Sequence, residues 1–278
     1  MSITIELPGW LDACRPDDAL YADAYEGTPA ELRALLKTAI AFAFHRWPAA
    51  DGETRTARAS GRSGFRHEES ARPVDWALAV LGPGFASPAR LLAALVPAVI
   101  AGAGRILVVS EAPFAASVCT ALELAGLEDS FQLSGEQVSD LYDDLRVLSP
   151  EGRVLVFPGE DGTFTEAQET LRSDASWDDL PCLQDPPFPF ILSLHAPGSE
   201  AEARLRWLHP DAELLHEAAP GLSAVFVPAP SALPGGLVPA FLCGPGMEAC
   251  WPGPGPEFYL TRSCSAFLFQ DSTPETTP

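Results

Sequence analysis

Gly82-Pro83-Gly84 lies between an apolar run, Trp76–Leu81, and a helix start at Ser87-Pro88. A strand that turns on glycine into a helix leaves backbone N–H groups at the positive end of the helix dipole, the arrangement that holds a pyrophosphate. The same three residues also suit a tight strand-to-helix connection with no ligand, and the sequence leaves both readings open. His195 ends a second apolar run, where an imidazole is suited to proton relay or is simply a satisfied surface histidine. Cys243 and Cys250 flank a Gly-Pro turn. A thiol there suits nucleophilic attack, but neither a paired base nor a nucleophile motif accompanies it, and a buried structural thiol is the competing reading. His209 and His216, with Asp211, Glu213 and Glu217, either collect a metal or decorate a turn with polar groups. The six cysteines show no CxxC pair and no zinc-finger spacing, and the chain has no P-loop, GxSxG, HExxH or GxGxxG motif.

The elements that must position these residues follow from apolar period and glycine-proline punctuation. Thr28-Pro29-Ala30-Glu31 reads as a capping box opening a helix whose apolar face is Leu32, Leu35, Leu36, Ile40, Ala43 and Trp47. Residues 50–72 are polar and without apolar period, which predicts a loop or linker. Trp76–Leu81, Arg105–Val109, Phe131–Leu133 and Arg153–Phe157 are predicted strands. Helices from Pro88 to about Ala103, from Phe114 to Ala125 and from Ser134 to about Leu145 lie between them. Gly102 and Gly126 stop the first two helices, and Ser134 with Gln137 forms a capping box for the third. Solid apolar strands alternating with helices predict a parallel sheet covered on both faces. Further on, Phe190–Leu194 and Leu222–Val227 are predicted strands, Ser199–Leu208 a helix, and Phe258–Phe269 a final strand or short helix.

The chain has 278 residues with 47% hydrophobic content, enough for a large core. Its net charge is −21, and of 17 basic residues Lys37 alone is lysine. That balance repels phosphates and argues against nucleic acid and anionic membranes as partners. The longest uncharged apolar run, Leu91–Gly104, is too short to span a bilayer, and Met1–Trp10 lacks the basic and apolar regions of a signal peptide, so a cytoplasmic protein with free thiols is expected.

Four collinear stretches resemble histidinol dehydrogenase and, more broadly, the aldehyde dehydrogenase-like group. They are Ala39–Arg46, Leu81–Ser110, Ala121–Gly159, and a last set formed by Ala224–Phe226, Cys243–Met247 and Pro252–Phe267, together about two thirds of the chain. The resemblance implies an α/β fold with two Rossmann-like layers, NAD as cofactor, and a homodimer. It implies a reaction in which zinc orients an alcohol while a Glu-His pair relays protons. Carried onto this chain, the cofactor-binding set is Gly82, Pro83, Gly84, Gln137, Pro158, Gly159 and Glu160; Gln137 reads first as an N-terminal capping residue, and Glu160 stands where the family has asparagine. The catalytic side departs further. The aspartate ligand expected near Leu237–Phe241 is missing, the histidine ligand is replaced by Met247, with Glu248 beside it as a substitute donor, and the glutamine and histidine ligands have no counterpart in the shortened stretch 161–189. No zinc site of that design is expected. The acid-base pair survives as a faint echo at His195 and Glu200, which with Cys243 are the candidate catalytic residues.

The expected organisation is a helical arm and linker over 1–75, a nucleotide-binding-type domain over 76–160, an acidic linker over 161–189, a second reduced α/β domain over 190–270 and a frayed tail over 271–278. The expected function is that of a degenerate, non-catalytic relative acting as a ligand-binding or interaction scaffold, with a nucleotide or small molecule as ligand. The alternative is an NAD(P)-dependent oxidoreductase acting on another alcohol or aldehyde.

Overall fold

The computed structural model describes residues 5–47, 54–60, 65–174, 181–186, 189–229, 232 and 241–268. After a 3-10 turn at Gly9–Cys14, α1 (Asp18–Gly27) and α2 (Ala30–Arg46) form the amino-terminal arm. Asp17 caps α1 by accepting from the Ala19 N–H at 2.9 Å. The capping box expected at Thr28 is not formed. The preceding helix takes Thr28 as its own terminus, and the hydroxyl donates to the Ala24 carbonyl at 2.8 Å.

The stretch 50–72, expected as loop, contains β1 (Thr54–Ser60) and most of β2 (Phe65–Pro73). They pair antiparallel, and β2 pairs on its other side with β12 (Leu260–Leu268), near the far end of the chain. Most of β2 and β12 is exposed or half-buried, so neither strand needs the apolar alternation that marks a half-buried one.

The main sheet is built from β3 (Trp76–Leu81), β4 (Arg105–Ser110), β5 (Ser130–Gln132), β6 (Gly152–Phe157) and β7 (Cys182–Gln184). All are parallel, in the order β5-β4-β3-β6-β7. Both faces are covered. α3 (Pro88–Ala101) and α4 (Ala116–Ala125) bury Leu91, Leu95, Val118 and Leu122 against Ala79, Leu81 and Val108. α5 (Gly135–Leu148) and α6 (Glu166–Asp174) bury Val138, Leu141 and Leu171 against Leu78, Val80 and Val156. Burial on both faces is why these strands are apolar without alternation. The local stops act as expected: Ser87 accepts from the Arg90 N–H, Gly102 and Gly126 end their helices in the left-handed region, and the Ser134–Gln137 capping box is closed on both sides. The acidic stretch 161–189 supplies α6 and the edge strand β7.

A second parallel sheet is made of β8 (Phe190–Ser193), β9 (Glu213–Leu215), β10 (Leu222–Phe226) and β11 (Leu242–Cys243), in the order β11-β10-β8-β9. One face packs on α7 (Glu200–Leu208) through Ile191, Leu205 and Phe226. The two sheets meet at the start of α3, where Ser87 Oγ donates to the Leu208 carbonyl at 3.0 Å. There the fully buried Arg90 pairs with Asp185, after β7, and with Asp211, before β9, and donates to the Pro186 carbonyl at 2.7 Å.

Candidate functional site

In open parallel sheets ligands settle beyond the carboxyl ends of the strands, where the chain order reverses. In the first sheet that point lies between β3 and β6, and it brings together Gly82-Pro83-Gly84 and Pro158-Gly159-Glu160. The two turns interlock. A Cβ on Gly82 would lie 2.3 Å from the Gly159 nitrogen, and one on Gly159 would lie 2.7 Å from the Pro83 oxygen. The Glu160 N–H donates to the Pro83 carbonyl at 3.0 Å. The Glu160 side chain lies over Gly84, whose φ is +78°, so that a Cβ there would be 2.8 Å from the carboxyl carbon. Glycine is required here by backbone packing against backbone.

The space between the two strand ends is filled by a side chain that sequence reasoning did not single out. Gln168, in the first turn of α6 and 0% exposed, donates its amide to the Val80 carbonyl at 2.9 Å and the Phe157 carbonyl at 2.8 Å. Its Oε1 accepts from the Thr165 N–H at 3.0 Å, and the Thr165 hydroxyl donates to Glu111 at the end of β4. The first turn of α6 is thus bonded across the carboxyl ends of β4, β3 and β6. Gln137 lies at the start of α5. Its Oε1 accepts from the Ser134 N–H at 2.9 Å and its Nε2 donates to Cys14 Sγ at 3.6 Å. A groove of about 450 Å³ runs beside it, lined by Cys14, Arg15, Glu111, Gln132 and Ser134.

The candidate catalytic residues gather at the carboxyl edge of the second sheet. His195 follows β8 with its N–H on Ser193 Oγ at 3.4 Å. Glu200 begins α7, is exposed, and pairs with Arg204 at 3.5 Å. Cys243 ends β11 in register with Phe226 and is buried. Its thiol donates to Cys250, and that bond together with burial pushes it far above the ordinary thiol range. Sequence reasoning also missed an acid-base pair on this edge. Glu202, nearly buried, accepts from the Gly198 N–H at 2.6 Å and from Arg206, and its Oε1 lies 3.9 Å from His216 Nε2. His216 Nδ1 lies 3.3 Å from the Ser193 carbonyl. The histidine–carboxylate group suggested by sequence is dispersed: Asp211 pairs with Arg90, and His209 is buried on the Glu248 carbonyl at 2.9 Å with its ring against Trp251. Glu248 is buried beside Arg204 at 3.5 Å, and Met247 packs against the cluster of Cys243 and Cys250. Of the stretch Leu237–Phe241, residues 237–240 lie outside the described residues.

These two groups are apart. α7 runs from Glu200, at the carboxyl edge of the second sheet, to Leu208, at the amino edge, and it is Leu208 that meets the start of α3. Nine helical residues put about 13 Å between those ends.

Two parallel sheets flanked by helices, the first with its order reversal at a glycine turn, define an open α/β architecture. The particular fold is that of histidinol dehydrogenase. The enzyme from Elizabethkingia anophelis superposes with a TM-score of 0.54 at 9% identity, over 92% of this chain and 77% of that one. A putative aldehyde dehydrogenase, PutA, from Anabaena variabilis gives 0.36 at 16% identity, and lactaldehyde dehydrogenase from Escherichia coli gives 0.36 at 13%. The matches cover 77% and 75% of this chain, which spans about half the length of those two proteins (47% and 46%). No protein-family model matches the sequence, and no curated protein does. Among the described residues, no helix is long and apolar enough to cross a membrane.

Proposed function

We propose that this chain uses a dehydrogenase fold as a non-catalytic scaffold in the cytoplasm that binds a small polar ligand or a protein partner. The observation that carries this reading is the closed reversal point of the first sheet. A dinucleotide does not fit there: its pyrophosphate would meet the Glu160 carboxylate over Gly84, and Gln168 fills the gap between Val80 and Phe157. Hydride transfer needs reacting atoms about 3–3.5 Å apart. His195, Glu200 and Cys243 stand at the far edge of the other sheet. The groove lined by Cys14, Arg15, Glu111 and Ser134 is the better candidate for a ligand. Homodimer formation fits the outer edge of β12, unpaired among the described residues, which ends beside exposed Phe65, Phe267 and Leu268.

The alternative, an NAD(P)-dependent oxidoreductase, draws support from the left-handed Gly84 and from the Ser87-capped start of α3 just beyond it. Calorimetric titration with NAD, NADH and NADP decides between the two. The scaffold reading expects no binding tighter than millimolar. A Kd below about 100 μM, worth about 5.5 kcal/mol, would overturn it.

A further inference from the structure

We propose that His67, Glu69 and Cys264 form a binding site for one divalent transition-metal ion of the zinc class, on the antiparallel sheet and away from both groups described above. The register of β2 and β12 sets Glu69 directly opposite Cys264, and His67, two residues before Glu69, shares its face. His67 Nε2 lies 3.1 Å from Cys264 Sγ and 3.5 Å from Glu69 Oε1, and the three donor atoms lie within 4.8 Å of one another. Zinc bonds of about 2.0 Å to nitrogen or oxygen and about 2.3 Å to sulfur, at tetrahedral angles, require donor separations of roughly 3.3–3.5 Å. The two separations from His67, 3.1 and 3.5 Å, are already close to that spacing, and the Glu69–Cys264 separation, within 4.8 Å, closes to it by side-chain rotation.

The chemistry of the donors agrees. Thiolate and imidazole select borderline-soft cations over magnesium or calcium, and the carboxylate adds a second negative charge. A bare His-Glu pair at 42% and 64% exposure is worth little, and without an ion the thiol adds one hydrogen bond to the ring. Three protein ligands leave a fourth position open toward solvent, for water or for a donor from another molecule. Glu69 and Cys264 also border a groove of about 480 Å³ with Leu260 and Arg262, which gives that position access. An ion here would tie β12 to β2 across 197 residues of sequence.

Cobalt(II) titration of the reduced, metal-free full chain tests the site, because a thiolate ligand announces itself by a charge-transfer band in the near ultraviolet. One cobalt per chain is expected, displaced by zinc, with zinc raising the Tm. Cys264→Ser should remove the band, and His67→Ala should weaken binding at least tenfold. Cys182→Ser, a thiol elsewhere, should leave both unchanged. Because the ligand side chains are exposed, the variants should unfold at the parent temperature when metal-free; if Cys264→Ser does not fold, loss of cobalt affinity in His67→Ala decides. No band in the parent, or a band that survives Cys264→Ser, would overturn the proposal.

Discussion

His209 shows how a single residue ties the fold to pH. It is buried between Trp251 and Phe226, and that burial holds its imidazole down to about 4 against an ordinary value near 6.5. The unfolded chain therefore takes up this proton first as pH falls. The stability contributed by neutral His209 is complete above pH 6.5 and is lost between 6.5 and about 4, by about 3 kcal/mol at most. Asp185 acts in the opposite sense, since burial raises it to about 6, so the difference between parent and variant is the informative quantity. His209→Gln should flatten the pH dependence of the urea midpoint by that amount. An unchanged slope would show that His209 is not the titrating group. Very little of this was legible in the sequence, where His209 and His216 stand close together and suggest a shared site. β9 lies between them and carries one to each edge of the second sheet, and no local pattern reports that. The same holds for Glu202 with His216, and for His67 with Cys264, which are juxtaposed by strand register.

At the scale of elements, legibility followed locality. The helix stops at Gly102 and Gly126, the Ser134–Gln137 capping box and the solid strand Trp76–Leu81 depend on neighbours in sequence, and the structure reproduces them. β1 and β2 escaped because β2 is exposed or half-buried along its length and carries no apolar period, and its partner β12 is remote. The Gly82–Gly84 turn was legible as a turn, but its purpose was not, because that depends on what the turn touches. Its contacts with Pro158, Gly159 and Glu160 make a testable distinction. If the glycines serve packing, Gly82→Ala should destabilise the chain by about 1–3 kcal/mol or more with no nucleotide present. Gln168→Leu should cost about 1–3 kcal/mol for each carbonyl it strands, at Val80 and Phe157. Thermal or urea unfolding of the two variants measures both. Parent-like stability in Gly82→Ala would mean that the turns do not interlock as described.

Across the whole molecule the two parallel sheets meet at a charged joint. Arg90 leaves the first turn of α3 fully buried and pairs with Asp185, just after β7 of the first sheet, and Asp211, just before β9 of the second. Burial raises both carboxyls, and Arg90 pulls them back down. Replacing a buried ion group entirely by well-packed apolar residues is often neutral, whereas removing one member leaves uncompensated charge. Arg90→Met should therefore cost about 3–5 kcal/mol at pH 7.5, read from the urea midpoint. Without the guanidinium the folded-state carboxyl values rise further above their unfolded ones. The folded variant then binds protons that the unfolded chain does not, and its stability recovers as pH falls through those raised values. The deficit should be smaller at pH 5 than at pH 7.5, and the triple change Arg90→Met, Asp185→Asn, Asp211→Asn should restore part of it at both. A deficit independent of pH would show that Arg90 acts by filling space beside Phe85, and the joint between the sheets would then be one of packing rather than charge.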